Sequence, residues 1–211
     1  MSKELRLIPL TEEFMNDKKT HDTVWGILQC RSYLNTDNKR FVYMFNAKAD
    51  TIAEELNSIR SKSISNKTVR NTLQLYKDLG LITEGKTKLK DKNIEVDCYF
   101  LNDSFTVFKL IPKDTLRFLL NTATDNVIKV YVYLINKYEW KQETKEQYNF
   151  SLKELCLAIG YKENQNSRDM IKDILKSLKN NGLIDYIETY YNDGSKPIPI
   201  MILTKVSYNP I

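Results

Sequence analysis

The tetrapeptide Arg6-Leu7-Ile8-Pro9 returns 103 residues later as Lys109-Leu110-Ile111-Pro112, and Gly80-Leu81-Ile82 returns 102 residues later as Gly182-Leu183-Ile184. Chance similarity between two helical stretches would not preserve both order and offset, so the chain reads as a duplication. A period near 100 residues is too long for a solenoid and has the size of a small globular unit. The 211 residues hold two such units, expected as residues 1–103 and 104–211.

Between the anchors the same order of elements recurs. An apolar helix is expected over Thr23–Leu34, with Val24, Ile27, Leu28 and Leu34 at helical spacing and Trp25 beside them. Its counterpart runs from Asn126 to Trp140, with Val127, Val130, Tyr131 and Leu134 on one stripe. A short aromatic stretch follows in each half, Phe41 to Phe45 and Tyr148 to Phe150. A second helix is expected after Thr51 and after Ser151, each with an acid three residues on, Glu54 and Glu154, at capping-box spacing. The third helix has its core positions at Val69, Leu73, Tyr76 and Leu79 in one half and at Ile171, Leu175 and Leu178 in the other. Each third helix stops at the glycine of Gly-Leu-Ile, a left-handed stop position. A hairpin closes each half. Leu81–Glu84 is expected to pair with Ile94–Leu101 across a lysine-rich turn, and Leu183–Tyr191 with Ile198–Lys205 across a turn holding Asp193-Gly194. The expected fold class is mainly α with small β-hairpins (α+β).

Cys30, Cys98 and Cys156 lie far apart without C-x-x-C spacing, which points to reduced thiols in a cytoplasmic protein rather than to a metal finger. The N-terminal residues are charged instead of apolar, and no apolar run approaches the ~20 residues of a membrane span. The single histidine, His21, beside Asp22, reads as a helix-start residue. Without a G-x-S-x-G elbow, a Walker A sequence or a dinucleotide fingerprint, no enzymatic activity and no cofactor are expected.

Helix, short strand, two helices and a two-stranded wing is the winged-helix order. The stretch from Ile64-Ser65-Asn66-Lys67-Thr68-Val69-Arg70-Asn71 to Gly80-Leu81-Ile82 resembles the recognition helix and first wing strand of that family, and Ser167-Arg168-Asp169-Met170-Ile171 to Gly182-Leu183-Ile184 resembles it more loosely. Two winged helix-turn-helix domains in tandem, each introduced by Leu-Ile-Pro, resemble the replication initiators of Gram-positive plasmids and phages. That resemblance implies contact with repeated DNA sites at an origin, a homodimer, and partners among replisome-loading proteins. Transcriptional regulators and winged-helix protein-interaction scaffolds share the local motif.

A recognition helix reads DNA with its outward face in the major groove. With Val69, Leu73 and Tyr76 turned inward, Asn66, Lys67, Arg70, Asn71 and Gln74 are the expected base-reading set; arginine matches guanine, and asparagine or glutamine matches adenine. Ser65 and Thr68 at the helix start, and Lys86, Lys88, Lys90 and Lys92 along the hairpin turn, are expected at phosphates. Residues 60–92 carry nine Lys or Arg against three Asp or Glu, a local balance of +6 that exceeds the +5 of the whole chain. In the second half Asn166, Ser167, Arg168, Lys172 and Lys176 stand in the equivalent places, with Lys196 in the wing turn, but Asp169 and Asp173 weaken the pattern. Tyr186, Tyr190 and Tyr191 crowd the last hairpin, followed by Ile198, Ile200, Met201 and Ile202; some of these are expected in the core and the surplus at a dimer or partner surface.

Overall fold

The computed structural model of the chain describes residues 4–10, 14–15, 22–59, 63–89, 92–102, 107–121, 126–191 and 198–210. Lys90, Lys196, His21 and the expected boundary at residue 103 lie outside the described residues. The first half runs β1 (Leu5–Pro9), α1 (Asp22–Arg31), β2 (Tyr33–Leu34), β3 (Arg40–Tyr43), a 3-10 turn at Met44–Asn46, α2 (Ala49–Ile59), α3 (Asn66–Asp78), β4 (Ile82–Lys88) and β5 (Glu95–Leu101). The second runs β6 (Phe108–Pro112), α4 (Lys113–Leu120), α5 (Val127–Glu143), β7 (Tyr148–Phe150), α6 (Leu152–Ala158), α7 (Gln165–Asn180), β8 (Ile184–Tyr191) and β9 (Ile198–Val206). Each half carries an antiparallel sheet, ordered β2-β3-β5-β4 and β7-β9-β8.

The glycine stops behave alike. After α3, the Leu81 N–H donates to the Tyr76 carbonyl at 2.8 Å and the Gly80 N–H to that of Lys77 at 2.9 Å. After α7, Leu183 donates to Leu178 and Gly182 to Lys179, both at 3.0 Å. Both are Schellman closures, and Gly80 and Gly182 hold φ of +66° and +69°. Ser151 caps α6 as expected, accepting from the Glu154 N–H at 3.1 Å. The reciprocal half of the box is absent there: the Glu154 carboxylate accepts instead from the Tyr133 and Tyr148 hydroxyls, at 3.0 and 2.7 Å.

Three expectations are corrected. Helix α1 ends at Arg31, because the Ser32 hydroxyl donates to the Gln29 carbonyl at 2.7 Å and turns the chain into β2. Leu34 is therefore a strand residue, paired with Arg40 and 55% exposed. Thr51 does not cap α2. The 3-10 turn delivers the chain to the helix earlier, so that the Ile52 N–H already donates to the Lys48 carbonyl at 3.0 Å and Thr51 lies within the first turn. Strand β4 reaches Lys88, so Lys86 and Lys88 are ladder residues rather than turn residues.

The duplicated tetrapeptides pair with each other. β1 and β6 form an antiparallel ribbon in which Arg6 faces Ile111, Leu7 faces Leu110 and Ile8 faces Lys109. Leu7 and Leu110 are equivalent by repeat and partners by register, so an approximate two-fold axis passes through that pair. The inward face of the ribbon buries Arg6, Ile8 and Ile111. Helix α1 is buried from Asp22 to Cys30 and packs on α4 and α5. A Cβ added to Gly26 would lie 2.8 Å from Leu120 Cδ2 and 3.0 Å from Ile128 Cδ1. One continuous apolar core thus runs through both halves. Among the described residues, no helix is long and apolar enough to cross a membrane.

Candidate nucleic-acid interface

Helix α3 is built as an amphipathic rod. Ser65 caps it, with Oγ accepting from the Thr68 N–H at 3.1 Å and lying 2.8 Å from Thr68 Oγ1. These two hydroxyls are thus engaged with each other at the helix start, where the unpaired N–H groups favour an anion. Val69, Thr72, Leu73 and Tyr76 are buried. The side chains of Asn66, Lys67, Arg70, Asn71 and Gln74 are all exposed, on the face the sequence assigns to base reading. Neither Lys67 nor Arg70 forms an ion pair with a described residue, and both are exposed. Gln74 is less free: its Nε2 donates to Asp78 at 2.8 Å, a bond that bidentate adenine reading would have to break.

One candidate residue, Lys48, was not singled out in the sequence. A hollow of about 340 Å³ beside Arg70 is lined by Lys48, Ala49, Asp50, Leu73 and Tyr99. Lys48 stands at the start of α2, the first helix of the helix-turn-helix pair, which crosses the DNA backbone in proteins of this architecture. The signal was the residue before the helix, obscured by placing the cap at Thr51.

The wing continues the face of α3. Side chains alternate along a strand, so Glu84, Lys86 and Lys88 share one side of β4. Lys77 of α3 pairs with Glu84 and lies 5.2 Å over the Tyr99 ring, which fixes that side toward α3. Lys86 and Lys88 extend the same side outward and are exposed. The return strand tempers them: Lys86 faces Asp97 and Lys88 faces Glu95 in register. The sequence count over residues 60–92 stops short of these two acids. Lys92 is exposed beyond the strand.

Helix α7 has the same build and a different charge pattern. Asn164 caps it, accepting from the Ser167 N–H at 2.9 Å. Ser167 also turns its hydroxyl to Asn164 at 3.1 Å and is only 6% exposed, so it is withdrawn from the surface that the sequence reading gave it. Arg168 grips Glu163 through Nε at 3.0 Å and through a second nitrogen, and this bond holds the Glu163 carboxyl below its ordinary range. Lys172 lies 3.9 Å from Asp169, and Gln165 donates to the same carboxylate at 2.9 Å. Asn166 and Lys176 are exposed. The outward face of α7 is therefore largely neutralised by its own neighbours.

The helices and small antiparallel hairpins form a mixed α/β fold consistent with winged-helix domains. Residues 115–210 match the protein family described as Initiator Replication protein, WH1. The match spans most of α4 and everything from α5 to β9, just under half of the chain. It falls on the half whose sequence motif is the looser of the two, while the first half lies outside it. No curated protein and no solved structure matches the chain.

Proposed function

We propose that the chain is a sequence-specific, double-stranded-DNA-binding protein of the replication-initiator kind, recognising repeated sites at a plasmid or phage origin through α3 and α7. The observation that carries this reading is the initiator-family match over residues 115–210. The exposed Lys67 and Arg70 on α3, without an ion pair among the described residues, support DNA contact by the first half as well. Phosphates would be met by Ser65, Thr68, Lys48 and the wing lysines, bases by Asn66, Arg70 and Asn71, each good bidentate pair contributing about 1–3 kcal/mol of discrimination. In the second half Asn166, Lys172 and Lys176 are the available contacts, with Arg168 joining once DNA displaces Glu163. Two reading helices in one chain bind more tightly than either alone, because the second engagement is nearly intramolecular. The function needs neither catalytic chemistry nor a cofactor.

The outer face of the last sheet supports a homodimer. Ile187 and Tyr191, each 60% exposed, alternate on that face with Thr189, beside the half-buried Ile200 and Ile202. Sedimentation velocity of Tyr191→Lys protein against the unaltered chain tests it: a dimer that persists unweakened places the contact elsewhere.

Selection from a random duplex pool, with Arg70→Ala/Asn71→Ala protein alongside, tests the main reading. Enrichment of a motif that is lost in the double variant is expected, and the place of that motif in the source replicon separates an origin from a promoter. Equally weak, unselective binding by both proteins would reject it in favour of a protein-binding scaffold.

A further inference from the structure

The seam between the halves carries a cationic cleft that neither reading helix uses. Two adjoining cavities of about 340 and 400 Å³ share Cys30, Arg31 and Arg117. Arg31 comes from the end of α1, Thr51 from the first turn of α2, and Lys113 and Arg117 from α4, so three elements from both halves converge there. Arg31 is held by Glu55 and the Asn46 carbonyl, and Lys113 by Glu4 at 3.0 Å. Arg117 is exposed and forms no ion pair with a described residue. Glu55 is the single carboxylate among the described lining residues. On the cleft wall, burial pushes the Cys30 thiol up to about 11, opposed by the Arg117, Arg6 and Lys113 charges and reinforced by Glu55.

We propose that this seam cleft is a phosphate-binding site, separate from both reading helices. Arg117 presents a guanidinium fork that matches phosphate oxygens, and a phosphate bound there would compete with Glu55 for Arg31 and with Glu4 for Lys113, while the Thr51 N–H and hydroxyl stay turned to Asp50. The phosphoryl group comes from one of two sources. It belongs to a free phosphorylated molecule, or to the DNA backbone where a bound duplex crosses the seam; the second source rests on the function proposed above.

Two measurements on the full chain separate the sources. In the first, thermal unfolding is followed with increasing inorganic pyrophosphate at constant ionic strength, for the unaltered protein, Arg117→Ala, Arg117→Lys and Arg70→Ala. A free ligand raises the midpoint in the unaltered protein and in Arg70→Ala, loses the shift in Arg117→Ala, and regains part of it in Arg117→Lys. In the second, duplex affinity is measured against salt. A backbone contact at the seam lowers the log–log salt slope by about 1 in Arg117→Ala, the share of one lost phosphate contact, with the selected motif unchanged. If Arg117→Ala matches the unaltered protein in both measurements, the site is rejected. A chain that binds no duplex at all overturns the DNA function and leaves the pyrophosphate measurement to decide the cleft alone.

Discussion

Replacing Gly26 with valine tests whether the two halves stand or fall together. Gly26 lies inside α1, where alanine would be favoured over glycine by about 1 kcal/mol on helix preference alone. The structure opposes that gain. The added Cβ would sit 2.8 Å from Leu120 Cδ2 and 3.0 Å from Ile128 Cδ1, and both of those side chains are themselves buried in the second half. Overfilling a packed core costs about 1–3 kcal/mol, so Gly26→Ala is expected to lose about 1 kcal/mol net. Valine adds two further methyl groups and regains little helix preference, which puts Gly26→Val near 3 kcal/mol. For a chain of this size each kcal/mol moves the midpoint roughly 2–4 °C, so the valine variant should melt roughly 6–12 °C lower. Calorimetry together with circular dichroism should show one transition that shifts whole. A midpoint unchanged within error, or a split in which the second-half transition stays in place, would refute a shared core.

Ser65→Ala should cost about 1 kcal/mol by removing the α3 cap, and Asn164→Ala should do the same to α7, whereas Thr51→Ala should stay near neutral because Thr51 is no cap; urea midpoints compare the three. Glu163→Gln should tighten duplex binding a few-fold by releasing Arg168, read by fluorescence anisotropy; unchanged affinity would remove Arg168 from the interface. Three carboxyls are held below their ordinary range by side-chain hydrogen bonds, Glu4 by Arg6, Glu163 by Arg168 and Asp185 by Lys179. A depressed native value means that their stabilisation is present above the ordinary carboxylate range, about pH 4 and up, and is lost as pH falls through the native values. Acid titration of stability should therefore steepen below about pH 4, and Glu163→Gln/Asp185→Asn should flatten that limb. All three cysteines are buried with thiols pushed up by desolvation. A thiol reagent near neutral pH should thus react with them only after unfolding; prompt reaction of Cys98 or Cys156 in the native chain would contradict their burial.

What the sequence made legible was whatever rests on local periodicity or a single stereochemical requirement. The inward positions of α3 and α7 follow from helical spacing, and the stops at Gly80 and Gly182 follow from the need for a positive φ. The exposed reading set on α3 is the complement of that inward face. Long-range pairing was illegible. Nothing local in Leu-Ile-Pro announces that its two copies pair with each other, and α4, short and directly continuous with β6, offers too few turns for its period to stand out. Nor does a charge count over consecutive residues register that Asp97 and Glu95 return opposite Lys86 and Lys88. Ser167 looked available because hydroxyls favour helix starts, but the cap had passed to Asn164 and drawn Ser167 inward.

Helices α3 and α7 are alike in build and unlike in electrostatics. On α3 the cations nearest the helix start face water without acidic partners among the described residues, while on α7 Arg168 and Lys172 already have carboxylates within reach. A phosphate approaching Lys67 or Arg70 would meet no described carboxylate paired to them, whereas one approaching Arg168 or Lys172 would compete with Glu163 and Asp169. On the function proposed above, α3 would meet the duplex with charges that already face water, while α7 would engage it only where the DNA offers Arg168 a better partner than Glu163. The ribbon through Leu7 and Leu110 makes that division useful. By pairing the two repeats about a common axis, and by burying α1 against α4 and α5, the fold fixes the separation of the two helices. On the function proposed above, an encounter made by α3 would present α7 to the DNA at a set distance instead of at the end of a slack tether.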